Sequence, residues 1–418
     1  MALVSGSRTL SRGKLAASGW RFSCIRVAAV SRFMLAVPVL MAVSGHSVWA
    51  ASVPTTVQAA APAAGMQRQS IDTKAFPLAL CNDGSSAVYY WQAGVGANAA
   101  RDANKTVIYL GGGGFCATDA DCSRRPPEGR SSMSYPTSVN GTGILSSSSK
   151  NPNFQSWNRV FLPYCTSDLY SGDTGPTGGA ANFQFRGARV VEAMIQSLTS
   201  RNGVGKKGDV VLLSGGSAGG IGAFINANRV RALLPAATVL TLVDSGVFPD
   251  VIPPESTPPD MLPIHDQLSG GSQYWNSQFD SDCVAANPKM PARCLLFQYA
   301  EPTLRTPTFT VQNVRDPVSI RNAGLFQPSD SNTPEQNDWV NQVFIKSMAS
   351  ILLPLGQSAG EGLFAVCEPD VHGMIFDDIN WTRRYTDLGS ASLEKNVYRW
   401  ASGLGTRTRV GVSSCRYP

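Results

Sequence analysis

Short apolar runs bounded by polar or glycine-rich stretches recur along the chain, at Ala87–Trp91, Thr106–Leu110, Arg159–Leu162, Val210–Leu213, Val239–Val243 and Thr308–Val311. Their length and β-branched content predict buried strands. Between several of them, apolar residues at helical spacing predict helices over Gly187–Ser200 and Gly220–Leu234. Strands alternating with helices imply an α/β fold with a doubly wound, mainly parallel sheet. Two stretches rich in Gly, Ser and Pro, Asp119–Ser149 and Val251–Trp275, are expected as long loop insertions around a site. With no second linker and no internal repeat, residues 71–418 read as a single catalytic domain.

One strand-to-helix junction carries a chemical signature. After Val210–Leu213 comes Gly215-Gly216-Ser217-Ala218-Gly219, which fits G-x-S-x-G, and the next helix follows directly. Strand, tight turn and helix form the context of a nucleophile elbow, where a strained turn exposes a serine hydroxyl above the sheet. A glycine-rich connection with an incidental serine is the plainer reading, so partners must be sought. A serine hydroxyl is a weak nucleophile and needs a base. The chain has three histidines: His46, His265 and His372. His46 falls in the leader described below, and His265 follows a Pro-rich stretch that suggests a surface loop. Only His372 lies far enough downstream for the order serine, acid, histidine. For the acid, Asp316 ends the strand beginning near Thr308, at the carboxyl end where open α/β sheets carry their sites. Asp244 ends another apolar strand and is the alternative; Asp370 is too close to His372 in sequence.

A second glycine run, Gly111-Gly112-Gly113-Gly114, follows the strand Thr106–Leu110. Side-chain-free amides there can turn toward an oxyanion, with the amide of Ala218 as the second donor. A phosphate-binding loop would need a following Lys-Ser/Thr pair, which neither glycine run has.

Composition changes the picture at the N-terminus. Six basic residues and no acidic ones precede the apolar stretch Phe33–Val43, and small residues precede a cut after Ala50. Residues 1–50 therefore read as a signal peptide, and 51–70 as a flexible linker. An uncleaved anchor is disfavoured because the apolar run is shorter than a membrane span. The whole chain has 35 basic and 29 acidic residues, a net charge of +6; without the leader's six, 29 face 29 and the charge is zero. Nucleic-acid binding thereby loses its electrostatic support. Cys24 leaves with the leader, and eight cysteines remain, an even number that suits disulfides in an exported chain, with Cys283–Cys294 expected as a local pair. Without C-x-x-C and with scarce histidine, no metal site is expected. The protein is expected to be secreted or periplasmic, with no membrane span after leader removal.

Several motifs together resemble one family. Leu110-Gly111-Gly112-Gly113-Gly114-Phe115-Cys116, Pro163-Tyr164-Cys165, Phe185-Arg186-Gly187-Ala188-Arg189-Val190, Ser214–Gly220 and Asp244-Ser245-Gly246 are similar to segments of the pectin acetylesterase/Notum family of secreted carboxylesterases. The likeness runs from about Phe76 to Trp381. It implies an α/β-hydrolase-like fold, a Ser217, Asp316 and His372 triad, oxyanion donors at Gly112 or Gly113 and at Ala218, and no metal or organic cofactor. It also implies an ester substrate, with acetyl groups on a pectin-like extracellular polysaccharide first. Removal of longer acyl groups from protein or lipid is the second reading, and a catalytically silent binding protein the third. The chain departs from the family at Gly111, where Glu is usual, and at Phe115, where Trp is usual. By the same resemblance, Phe115 and Phe248 shape the acyl side of the site.

Overall fold

The computed structural model describes residues 65–178, 182–257, 262–324, 332–357, 360–385, 392–405, 409–410 and 415–416. The expected signal peptide, His46 and most of the expected linker lie outside the described residues.

Among the described residues ten strands form one sheet. In chain order they are β1 (Met66–Ser70), β2 (Val88–Gln92), β3 (Lys105–Leu110), β4 (Ser138–Val139), β5 (Asn158–Leu162), β6 (Val210–Gly216), β7 (Thr238–Asp244), β8 (Thr308–Asn313), β9 (Gly362–Val366) and β10 (Arg409–Val410). Across the sheet they run β10-β9-β8-β7-β6-β3-β5-β2-β1-β4. Neighbours from β5 through β10 pair in parallel, whereas β2, β1 and β4 extend the β5 edge with antiparallel pairings. The sheet is thus mainly parallel, as expected, with an antiparallel edge. From β3 the chain adds β5 on one side and β6 on the other. A crevice forms outside the carboxyl ends of strands at such a reversal of order.

The parallel strands are apolar without alternation because both of their faces are covered. Val211 and Leu213 of β6 point into one buried cluster with the helix Ala218–Leu233, and Leu212 points into the other. In β3, Ile108 and Leu110 divide in the same way from Val107 and Tyr109. Each fully buried Leu or Val side chain of this kind contributes about 1.5–3 kcal/mol. The helix Ala218–Leu233 is buried continuously from Ala218 to Ala227, so it reads as core rather than as an amphipathic surface helix.

Three expectations change. The segment expected as linker contains β1, whose Met66 is buried and which pairs with β2 from Gln67↔Trp91 to Ser70↔Val88. Backbone pairing, not its polar side chains, makes this strand. The supposed loop Val251–Trp275 ends in a helix, Ile264–Trp275, which starts after Pro263 and buries Ile264, Leu268, Gly271, Ser272 and Trp275 at helical spacing. His265 therefore sits in a helix, where Nδ1 lies 2.8 Å from Asp250. The helix expected over Gly187–Ser200 ends at Ser197 and runs into a wider turn, Leu198–Asn202, closed by Gly203 in the left-handed region.

Among the described residues four disulfides form, Cys81–Cys165, Cys116–Cys122, Cys283–Cys294 and Cys367–Cys415. The expected local pair is among them. No helix among the described residues is long and apolar enough to cross a membrane.

Candidate active site

Ser217 stands between β6 and the helix Ala218–Leu233 with φ 58° and ψ −123°, a conformation that costs a non-glycine residue energy. Close packing maintains this turn. A side chain on Gly215 would overlap the carbonyl of Gly219, and one on Gly219 would overlap the carbonyl of Leu110. The Ser217 amide donates to the Asp244 carbonyl at 2.9 Å, which fixes the turn to β7. Ser217 Oγ makes no hydrogen bond to a described residue.

The glycine run after β3 lies against this turn. A methyl on Gly112 would come within 3.1 Å of Ser217 Cβ and 2.7 Å of the Gly216 carbonyl, so only glycine allows the approach. The amides of Gly112, Gly113 and Ala218 have no protein acceptor among the described residues. Ala218 opens its helix, where unpaired amides and the helix dipole favour negative charge. The Cys116–Cys122 bridge and a 2.7 Å bond from Trp275 Nε1 to the Cys116 carbonyl hold the far end of the glycine loop.

Asp316 follows β8 and is fully buried. Its Oδ1 caps the helix Pro317–Asn322 by accepting from Val318 N and Ser319 N, at 2.9 and 3.1 Å. The same carboxylate lies 2.7 Å (Oδ2) and 2.9 Å (Oδ1) from Nδ1 of His372. Burial favours the neutral imidazole, but the hydrogen bond and charge of Asp316, with a smaller pull from Asp244, outweigh it. The His372 pKa is therefore raised above its ordinary 6.5.

Asp244, the alternative acid, has another task. Its Oδ2 accepts from Met374 N at 2.7 Å and Ile375 N at 2.9 Å, and the neighbouring Ser245 Oγ accepts from Gly373 N at 2.9 Å. Burial pushes its carboxyl up to about 6 despite these bonds. From the other side, Asn313 Nδ2 donates to the carbonyls of Glu368 and Val371, both at 2.8 Å. The loop carrying His372 is thus clamped on both flanks. The sequence had singled out Asp244-Ser245-Gly246 as a motif without indicating this role, and Asn313 had no signal beyond its place at a strand end.

Phe115 and Phe248 meet Ser217 at an apolar cavity of about 70 Å³, closed by Leu169, Ile221 and Leu268. Phe115 packs edge-on against Trp275 at 5.6 Å between centroids. Among the described residues no group of three or more His, Cys, Asp or Glu could hold a metal ion.

A strained serine after β6, unpaired amides beside it and a His–Asp pair from the segments after β8 and β9 are the kinds of group that an acyl-transfer site uses. A family profile described as Pectinacetylesterase matches residues 60–418. The chain belongs to this family. The mouse palmitoleoyl-protein carboxylesterase NOTUM is 33% identical over 258 residues, covering 57% of this chain and 48% of NOTUM. Pectin acetylesterase 7 of Arabidopsis thaliana is 30% identical over 258 residues, covering 58% of this chain and 61% of its own length. Alignment with these curated relatives thus spans about half to three fifths of their length. The crystal structure of the Wnt deacylase Notum from Drosophila superposes with a TM-score of 0.71 at 27% identity, covering 85% of this chain and 97% of the other. The α/β-hydrolase-like fold of this pectinacetylesterase family member is the one its sequence suggested.

Proposed function

We propose that the protein is an exported serine carboxylesterase that removes acetyl groups from an extracellular, pectin-like polysaccharide. The His372–Asp316 hydrogen bond carries this reading, since it engages Nδ1 and leaves Nε2 of the imidazole to act as the base for Ser217. Ser217 Oγ attacks the ester carbonyl and gives its proton to His372 Nε2. The amides of Gly112 or Gly113 and of Ala218 hold the oxyanion, each donor contributing about 3 kcal/mol of barrier lowering. The carbon–oxygen bond to the sugar then breaks, and the departing alkoxide takes the proton from His372. Water attacks the acyl-enzyme, passes a proton to His372, and releases acetate with Ser217 restored. The missing Ser217–His372 hydrogen bond does not weigh against this sequence, because such bonds commonly tighten only with substrate in place. The disulfides suit an oxidising compartment and support export.

A second reading, hydrolysis of long acyl esters on a protein, is favoured by the activities for which the NOTUM relatives are named. The cavity argues for the short acyl group. At about 70 Å³ it is far below the roughly 300–1,000 Å³ of sites that enclose drug-sized ligands. A series of p-nitrophenyl esters from acetate to dodecanoate separates the two. Were the cavity able to receive them, each added methylene would gain about 0.8 kcal/mol. We expect kcat/KM to peak at acetate or butyrate and to fall at least about tenfold by octanoate, as overpacking costs about 1–3 kcal/mol. A rise through octanoate would transfer the assignment to long-chain deacylation.

A further inference from the structure

One more buried carboxylate takes no part in the chemistry above. Asp168 lies at 0% exposure in the segment Thr166–Gly172, which follows β5. Its Oδ1 accepts from Thr166 Oγ1 at 2.7 Å and from Tyr170 N at 3.0 Å. Its Oδ2 accepts from Gly187 N at 2.7 Å and from Gly172 N at 3.2 Å. Burial still pushes this carboxyl up to about 6. A side chain on Gly172 or Gly187 would collide with the carboxylate, so both glycines leave room for it.

What the carboxylate holds is a strained turn. Ser167, Leu169 and Tyr170 have left-handed φ of 54°, 56° and 60°. Such a conformation costs each of them energy and persists only where surrounding contacts impose it. Two of those contacts are the Tyr170 amide on Asp168 and the Leu169 amide, which donates to Tyr164 Oη at 2.6 Å.

The turn grips the glycine loop at both ends. Tyr170 Oη donates to the Gly111 carbonyl at 2.9 Å, where the run begins, and the Ser167 carbonyl accepts from Cys116 N at 3.1 Å, just past its end. Tyr170 also meets the helix that follows Ser217. Asn226 Nδ2 donates to the Tyr170 carbonyl at 3.1 Å, and the Tyr170 ring fills the space a side chain at Gly222 would need. One tyrosine thus touches the loop that carries Gly112 and Gly113 and the helix that Ala218 opens. Beside it, Leu169 lines the acyl cavity.

We infer that Asp168 is a positioning residue: by holding the Tyr170 amide, it fixes the tyrosine that sets the glycine loop against the helix after Ser217. This rests on the esterase reading, with Gly112 or Gly113 and Ala218 as oxyanion donors, and adds to it a residue remote from the substrate. A displacement of about 1 Å in such a group costs about 10²-fold in rate.

The test takes Asp168→Asn and Tyr170→Phe, singly and together, with p-nitrophenyl acetate as substrate and methylboronic acid as an inhibitor that forms a tetrahedral adduct. In Asp168→Asn the amide oxygen can face Gly172 N and Gly187 N while its nitrogen donates to Thr166 Oγ1. The one bond lost is then that from Tyr170 N. We expect kcat to fall about 10²-fold with KM unchanged. Affinity for methylboronic acid should fall by the same factor, because the adduct uses the contacts of the transition state. Tyr170→Phe should lose about tenfold in kcat. The double variant should lose no more than Asp168→Asn alone, since both substitutions break one chain of contacts. Unchanged kcat in folded Asp168→Asn, or losses that multiply in the double variant, overturns the inference and leaves the esterase reading intact. Should Asp168→Asn not fold, Tyr170→Phe decides, and an unchanged kcat there overturns it. No hydrolysis by the folded wild type overturns the esterase reading, and the inference with it.

Discussion

Replacing Asp316 and Asp244 separately by Asn tests the division of labour between the two buried carboxylates. In Asp316→Asn the helix cap survives, because an Asn oxygen can accept from Val318 N and Ser319 N as the carboxylate does. What fails is the His372 contact. An amide nitrogen facing Nδ1 either opposes its proton or forces the proton onto Nε2, the atom that must accept from Ser217. A wrong tautomer of this kind costs about 10⁴-fold in kcat, by the measured effect in a serine protease. In Asp244→Asn, the side-chain oxygen can still accept from Met374 N and Ile375 N, and what is lost is the 3.2 Å bond from Ser245 Oγ and the minor pull of the charge on His372. That loss is worth about 0.5–1.5 kcal/mol, or roughly tenfold at most. Asp244→Ala instead strands two buried amides at about 1–3 kcal/mol each, and should lower both melting temperature and activity. The assay is kcat/KM on p-nitrophenyl acetate beside thermal unfolding for each variant. A 10³-fold loss in Asp244→Asn together with near-normal activity in Asp316→Asn would refute the assignment.

Two further predictions concern pH and the glycine loop. Since His372 must be neutral to accept a proton and its pKa is raised, kcat/KM should climb with pH through an apparent value above 6.5. The stability that the His372–Asp316 pair contributes runs the other way, complete below about 6.5 and lost as pH rises through the folded value. A pH–rate profile already flat from pH 5.5 upward would contradict both. Replacing Cys116 and Cys122 with Ser removes a closure over a separation of 6 residues, worth only about 2 kcal/mol, but loosens the loop bearing Gly112 and Gly113. Activity should fall more steeply than the shift in melting temperature alone explains; an unaltered kcat in the folded variant would dissociate the bridge from the oxyanion loop.

The buried parallel strands were legible because their both-sided burial writes uninterrupted apolar runs, as in β6. The elbow was legible because Gly215 and Gly219 answer to backbone collisions that no other residue avoids. Strand β1 was hidden, since Met66 is its only buried side chain and its pairing is carried by the backbone. Strand β9, Gly-Leu-Phe-Ala-Val, is too short to separate from a buried helical turn by pattern. The helix Ile264–Trp275 was masked by the prolines before it, although its buried positions repeat at helical spacing. Asp316 and Asp244 could not be separated in sequence because both end apolar strands; only the fold reveals which carboxylate faces Nδ1 of His372 and which faces backbone amides.

The most direct test measures acetate released from acetylated pectin and from p-nitrophenyl acetate by the protein and by Ser217→Ala. Release from both substrates is expected of the wild type, with a loss of about 10⁶-fold in the variant, as for the nucleophile of a serine protease. Undiminished release by a folded Ser217→Ala protein, or none from either substrate by the folded wild type, would contradict the acetylesterase reading.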